Sequence, residues 1–146
     1  FKNKKINLSL YYPSSNELNL LPILEMDFFK KTNFLLPVLE KKNTMNFFKW
    51  EKNDPLFINK YGILEPCRSV IEIPDVLLAP IVAFDKKKNR LGYGKGFYDR
   101  YLDRYNKKNK KIITIGIAFS FQRYHKLPIN KKDIKLDYIL TDKGIF

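Results

Sequence analysis

Positions 90–99 read RLGYGKGFYD, residue types that suit a phosphate anion. Gly92, Gly94 and Gly96 alternate with other residues, so the backbone can bend sharply and turn successive N–H groups toward one point, an anion-binding nest. Arg90 adds a planar fork of donors and Lys95 a point charge, both suited to phosphate oxygens. Apolar or aromatic residues at 97, 98, 101, 102 and 105 have helical spacing, which places the positive end of a helix dipole directly after the glycines. The loop is not a G-x-x-x-x-G-K-[ST] motif, because no Ser or Thr follows Lys95, and it is not G-x-G-x-x-G. Asp99 falls in the first helical turn, where a carboxylate either compensates the dipole or holds Mg²⁺ against bound phosphates. Spacing alone leaves those two roles even. Asp133 and Asp137 are candidates for a second carboxylate, and the residues do not choose between them.

Other chemistries find little support. His125 is the only histidine and has no Ser or Cys near it in a nucleophile setting, so it reads as a loop residue. Cys67 is alone, which excludes an internal disulfide framework and a thiol metal cluster. The net charge of +13 invites a nucleic-acid reading, but the excess is nearly all lysine, in scattered pairs and triplets (4–5, 30–31, 41–42, 86–88, 107–108, 110–111, 131–132). Such a pattern predicts a solvated surface before it predicts a binding stripe. Nothing resembles a signal peptide or a membrane span, and a reducing, cytoplasmic setting fits.

These groups need a scaffold, and 146 residues with 45% hydrophobic side chains suffice for one domain with one sizeable core. Residues 6–12 (INLSLYY) alternate and predict a strand ended by Pro13. Ser14, Ser15 and Asn16 are candidate caps, and Glu17 stands three after Ser14 as in a capping box, so its plainest role is local. Leu18, Leu21, Leu24 and Phe28 then predict a helix that Pro22 must kink or begin. Residues 34–39 predict a second strand, short or near an edge because of Pro37, and 45–50 a third extended piece. Residues 53–65 predict loop and short helix. The run 76–84 predicts a central parallel strand feeding the glycine loop. Residues 112–119 predict another, with Gly116 admitting a close neighbour, and 136–140 the last. The alternation implies βαβ units and a site at the carboxyl ends of a parallel sheet.

The run 75–100, with AFD at 83–85 and RLGYGKGFYDR at 90–100, resembles the 5-formyltetrahydrofolate cyclo-ligase (5,10-methenyltetrahydrofolate synthetase) family. So do IGIAF at 115–119, Gln122, Leu127-Pro128, Asp133 and LDYILTD at 136–142. Earlier matches are YYPSSNE at 11–17, LPV at 36–38, MNF at 45–47 and GILEP at 62–66, all in order along one domain spanning residues 1–146. The resemblance implies an α/β fold, a three-layer α/β/α domain with a mostly parallel central sheet, Rossmann-like in the NagB, RpiA and CoA-transferase manner. It implies ATP and Mg²⁺ with 5-formyltetrahydrofolate, with or without a polyglutamate tail, and a monomer with neither nucleic acid nor membrane as partner. By motif match Arg90, Leu91, Gly92, Tyr93, Gly94, Lys95, Gly96, Phe97 and Tyr98 would bind ATP. Tyr12, Glu17, Tyr93, Gly94, Lys95, Gly96 and Phe97 would meet the folate, Glu17 at the pterin. Arg90, Lys95 and Tyr98 would serve catalysis, and Asp99 and Asp133 would hold Mg²⁺. Two departures stand out. Family members usually begin with a helical segment whose Lys and Arg side chains help bind ATP, whereas this chain starts just before the first strand, so a binding protein of weak or no activity is the alternative. Lys132 also stands where many members carry His.

Overall fold

The longest apolar runs form the central strands. The structure is a computed structural model that describes residues 5–14 and 16–146. Lys4 and Ser15, used above in a lysine pair and as a candidate cap, lie outside the described residues. In chain order the strands are β1 Ile6–Ser9, β2 Thr32–Leu39, β3 Met45–Lys49, β4 Leu56–Ile58, β5 Leu64–Pro66, β6 Ile71–Glu72, β7 Val76–Pro80, β8 Ala83–Phe84 and β9 Arg90–Leu91. Helix α1, Phe97–Asn106, precedes β10 Ile113–Ile117, β11 Tyr138–Thr141 and β12 Gly144–Ile145.

Among the described residues one sheet takes the order β12-β11-β10-β7-β1-β2-β3-β6. Strands β11, β10, β7, β1 and β2 run parallel, and β3, β6 and β12 join antiparallel at the margins. The expected α/β class with a mostly parallel sheet is therefore found. From the β1–β7 pair, the chain steps outward in opposite directions, β1 to β2 and β7 to β10 to β11. That reversal is a topological switch point, where open α/β sheets bind ligands beyond the strands' carboxyl ends.

The sheet is the middle of three layers. On one face Tyr101, Leu102 and Tyr105 of α1 bury against Leu35, Phe47, Leu77 and Ala79. Tyr101 meets Phe47 edge to face at 4.9 Å, and each such buried side chain contributes roughly 1.5–3 kcal/mol. On the other face Leu8, Leu10, Leu36, Leu78 and Ile117 lie under Leu20 and the half-buried Leu21, Ile23, Leu24 and Phe29. That cover is not the expected helix. It is two 3₁₀ turns, Leu21–Glu25 and Asp27–Phe29, the first carrying Pro22 at its start, split by Met26 in extended conformation.

Other expectations shift for local reasons. β1 ends at Ser9 rather than Tyr12, although Leu10 N–H still donates to Leu35 O. Pro37 is not at a sheet edge: β2 has β1 on one side and β3 on the other, but β1 stops pairing at Leu35, so the missing N–H breaks no ladder bond there. Residues 53–65 contain no short helix. They form the β4–β5 hairpin, whose turn Asn59 closes by accepting from Tyr61 N–H and Ile63 N–H. The run 76–84 divides, because β7 stops pairing with β10 at Pro80 and β8 leaves to pair with β9. Gln122 Nε2 donates to the Ile81 and Val82 carbonyls at that break. The strand expected at 136–140 is β11, but it is not the last, because a turn returns the chain as β12.

Carboxylates fix several turns. Asp75 Oδ2 accepts from Asn7 N–H, and Asp137 Oδ2 accepts from both Thr114 N–H and its hydroxyl. Buried Asp85 accepts from Lys87 N–H, Asn89 N–H and the Asn89 side-chain amide, and closes the β8–β9 hairpin. Among the described residues the paired and tripled lysines are exposed, except half-buried Lys88, as a solvated surface requires. No helix among the described residues is long and apolar enough to cross a membrane.

Two outcomes follow from this packing. A Cβ on Gly116 would lie 2.6 Å from Leu136 Cδ1 and 2.9 Å from Ile139 Cδ1, both in buried side chains. Gly116→Val is expected to lose roughly 1–3 kcal/mol in denaturant melts, as overpacked cores do. Burial pushes the Asp85 carboxyl up, but the hydrogen bonds from Asn89, Leu127 and Lys87 outweigh it and hold the group below its ordinary value. Its ionised form therefore stabilises the fold above the ordinary carboxylate pKa of about 4. That contribution is lost as pH falls through the lower folded value, so Asp85→Asn should flatten the acid limb of a stability–pH curve.

Candidate functional site at the switch point

The groups with chemistry converge beyond the carboxyl ends of β1 and β7. Strand β9 delivers Arg90, and the glycine loop follows. Gly94 and Gly96 are left-handed, with φ of 82° and 64°. Gly92 is not. It is needed for closeness instead, since a Cβ there would lie 3.1 Å from Arg90 Nη1. Gly96 is the N-cap of α1 and no side chain caps the helix, so its first N–H groups stay open to a ligand.

Arg90 is the most enclosed cation of the cleft, with its side chain 5% exposed and that of its partner Asp99 18%. Nη2 lies 2.9 Å from Asp99 Oδ2, yet Nη2 and Nε both lack a hydrogen-bond acceptor. The pair is thus a charge contact whose N–H groups point elsewhere. The guanidinium also sits 5.6 Å over the Tyr98 ring. Asp99 Oδ1 accepts from Ile134 N–H at 3.0 Å, which ties α1 to the 130–134 turn. Asp133 is the residue before Ile134, and its carboxylate accepts from Asn130 N–H at 2.8 Å. Of the two candidates for a second carboxylate, Asp133 adjoins the residue bonded to Asp99, with its own carboxylate turned to the Asn130 N–H. Asp137 is spent on Thr114 at the amino end of β10. Among the described residues no group of three or more His, Cys, Asp or Glu side chains is arranged for a metal.

Glu17 stands across the cleft. It accepts from Ser14 N–H at 2.8 Å, half of the expected capping box, but only a turn follows. Its charge also bears on the Tyr93 phenol. Its charge reaches Tyr11 and Tyr98 as well. Burial pushes the Tyr98 phenol far above its ordinary value; the Arg90 charge opposes this and Glu17 adds to it. Tyr98 is therefore a neutral donor at physiological pH, not a base. Burial also raises Tyr93, with Glu17 assisting.

Lys95 and Leu91 are exposed on the loop. Lys95 Nζ lies 5.7 Å over the ring of Tyr61, which meets Phe97 edge to face at 6.2 Å. Tyr12 is half-buried, edge-on to Trp50 at 6.4 Å. The exposed His125 and Cys67 contribute nothing to this cluster. Sequence reasoning missed Tyr11, whose hydroxyl donates to Leu18 O at 2.8 Å and which faces Glu17. It also missed Tyr61, hidden in a hairpin read as loop, and Arg100, whose motif position was noticed without a role.

Comparison with known proteins fits this geometry. The 5-formyltetrahydrofolate cyclo-ligase family matches residues 2–142. The 5-formyltetrahydrofolate cyclo-ligase of Haemophilus influenzae is 36% identical over 142 residues, covering 92% of this chain and 75% of that protein. The same enzyme of Escherichia coli K12 is 32% identical over 146 residues, covering 95% and 79%. The NMR structure of Aquifex aeolicus 5,10-methenyltetrahydrofolate synthetase superposes with a TM-score of 0.77 at 32% identity, covering 99% of this chain and 72% of that one. With the family's pattern matched over residues 2–142 and these relatives alike over most of their length, the chain belongs to the 5-formyltetrahydrofolate cyclo-ligase family.

Proposed function

We propose that the protein converts 5-formyltetrahydrofolate and ATP into 5,10-methenyltetrahydrofolate, ADP and phosphate. The observation that carries this reading is the left-handed glycine loop that brings Arg90 and Lys95 to an uncapped helix start. Open helix N–H groups with cations beside them suit a triphosphate, whose oxygens accept from both. In the step proposed, the formyl oxygen attacks the γ-phosphorus and ADP leaves. N10 then adds to the activated carbon, its proton passes to the departing phosphate or to water, and the C–O bond breaks to release phosphate.

The side chains divide this work by their chemistry. Arg90, the α1 N-terminal N–H groups and Lys95 would hold charge developing on the transferring phosphoryl group. Tyr98, kept neutral, would donate a hydrogen bond to an oxygen of substrate or phosphate. Glu17 would accept from the pterin, exchanging its bond with Ser14 N–H, and Tyr12 would flank the folate. The residues are compatible with Mg²⁺ held mainly by ATP oxygens, because one or two carboxylates suffice for such a site. Asp99 and Asp133, which adjoins the Asp99-bonded Ile134, would be the two. Bound there, Mg²⁺ would draw charge from the phosphates.

Mixing protein, ATP and 5-formyltetrahydrofolate should give the near-ultraviolet absorbance of the methenyl product, with phosphate released in equal amount. ATP binding without any such change would point instead to a binding protein on this fold. Lys95→Ala and Asp99→Asn should each lower turnover by about tenfold or more, about 1.4 kcal/mol. Asp99→Asn should also lower the melting temperature, since it leaves Arg90 buried without its counter-charge. Wild-type rates in either variant would remove that residue from the mechanism.

A further inference from the structure

Lys95 is held by something the ATP reading does not account for. Arg100, one turn into α1, donates from Nε to Asn43 O at 2.9 Å and from Nη2 to Lys95 O. Its guanidinium lies 5.5 Å over the Phe97 ring, and Nη1 comes within 3.1 Å of where a Gly96 Cβ would sit. Asn43 belongs to the β2–β3 turn, where Lys42 and Asn43 are both left-handed, with φ of 57° and 56°. That conformation costs energy in residues other than glycine, and here it accompanies a carbonyl presented to Arg100.

We infer that Arg100 is a positioning residue, a strap that fixes the Lys95–Gly96 peptide of the phosphate loop to the β2–β3 turn. A peptide is planar, so pinning the Lys95 carbonyl toward Arg100 turns the Gly96 N–H the opposite way and fixes its direction. The loop has two left-handed glycines and needs such an external tie to present its N–H groups in one arrangement. The ring of Phe97 keeps the guanidinium plane in place. Lysine cannot replace it, because one ammonium does not span two carbonyls as a fork does. The inference rests on the glycine loop being the ATP site.

The test uses Arg100→Met and Arg100→Lys in the full chain. Amide hydrogen exchange at positions 100–102, where the first bonded amide of α1 donates to Gly96 O, should speed up by about tenfold in both, without a matching change in the sheet. In steady-state assays the KM for ATP should rise by about tenfold and the KM for 5-formyltetrahydrofolate should stay within about twofold. Unchanged exchange and unchanged ATP KM in Arg100→Met would overturn the inference. So would a parallel rise in both KM values with a general loss of sheet protection, which marks a merely structural residue. If Arg100→Met does not fold, Arg100→Lys decides alone. If wild-type protein shows no turnover, the proposed function falls, whereas the exchange result still decides whether the strap exists.

Discussion

The contact on which the site depends is the buried pair Arg90–Asp99. Three separate pieces of chain meet there: the β8–β9 hairpin through Arg90, helix α1 through Asp99, and the 130–134 turn through Ile134 N–H. Taking both charges out of water is expensive, and their attraction with one backbone hydrogen bond only partly offsets it. Replacing such a buried pair by apolar side chains of the same volume is often neutral for stability. What an apolar pair lacks is a guanidinium held in place with donors left over, and this chain keeps two.

Around that pair the fold supplies position rather than chemistry. Asp85 sets the hairpin that aims Arg90. The reversal of strand order at β1–β7 opens the cleft and brings Glu17, on the β1 side, within reach of Tyr93 and Tyr98 on the loop side. Burial of the phenols keeps them protonated, so the cleft presents hydrogen-bond donors and one carboxylate acceptor. Such a set can orient a heterocycle while cations gather around a phosphate.

Much of the scaffold was legible in the sequence, because long apolar runs and a helical spacing leave few alternatives. Strands β2, β3, β7 and β10 and helix α1 lie where the patterns at 34–39, 45–50, 76–84, 112–119 and 97–105 place them. The pieces that were not legible are those fixed by tertiary contacts. Hairpins β4–β5 and β8–β9 have strands of two or three residues, too short for a period to register. The crossover at 18–29 carries helical spacing, but Pro22 and the extended Met26 reduce it to 3₁₀ turns. Among the carboxylates, only the fold separates Asp137, bonded to Thr114, from Asp133, next to the Asp99 partner. The residues 11–12, both tyrosine, look equivalent in the sequence, yet only Tyr11 turns inward toward Glu17.

The most direct measurement of where ATP goes is a backbone amide shift map of labelled protein titrated with a non-hydrolysable ATP analogue. The account predicts the largest changes at positions 90–98 and at Ile134, whose N–H reports on Asp99 directly. Saturable shifts centred elsewhere, for instance around Trp50 and Cys67, with the Arg90 loop unmoved, would contradict it.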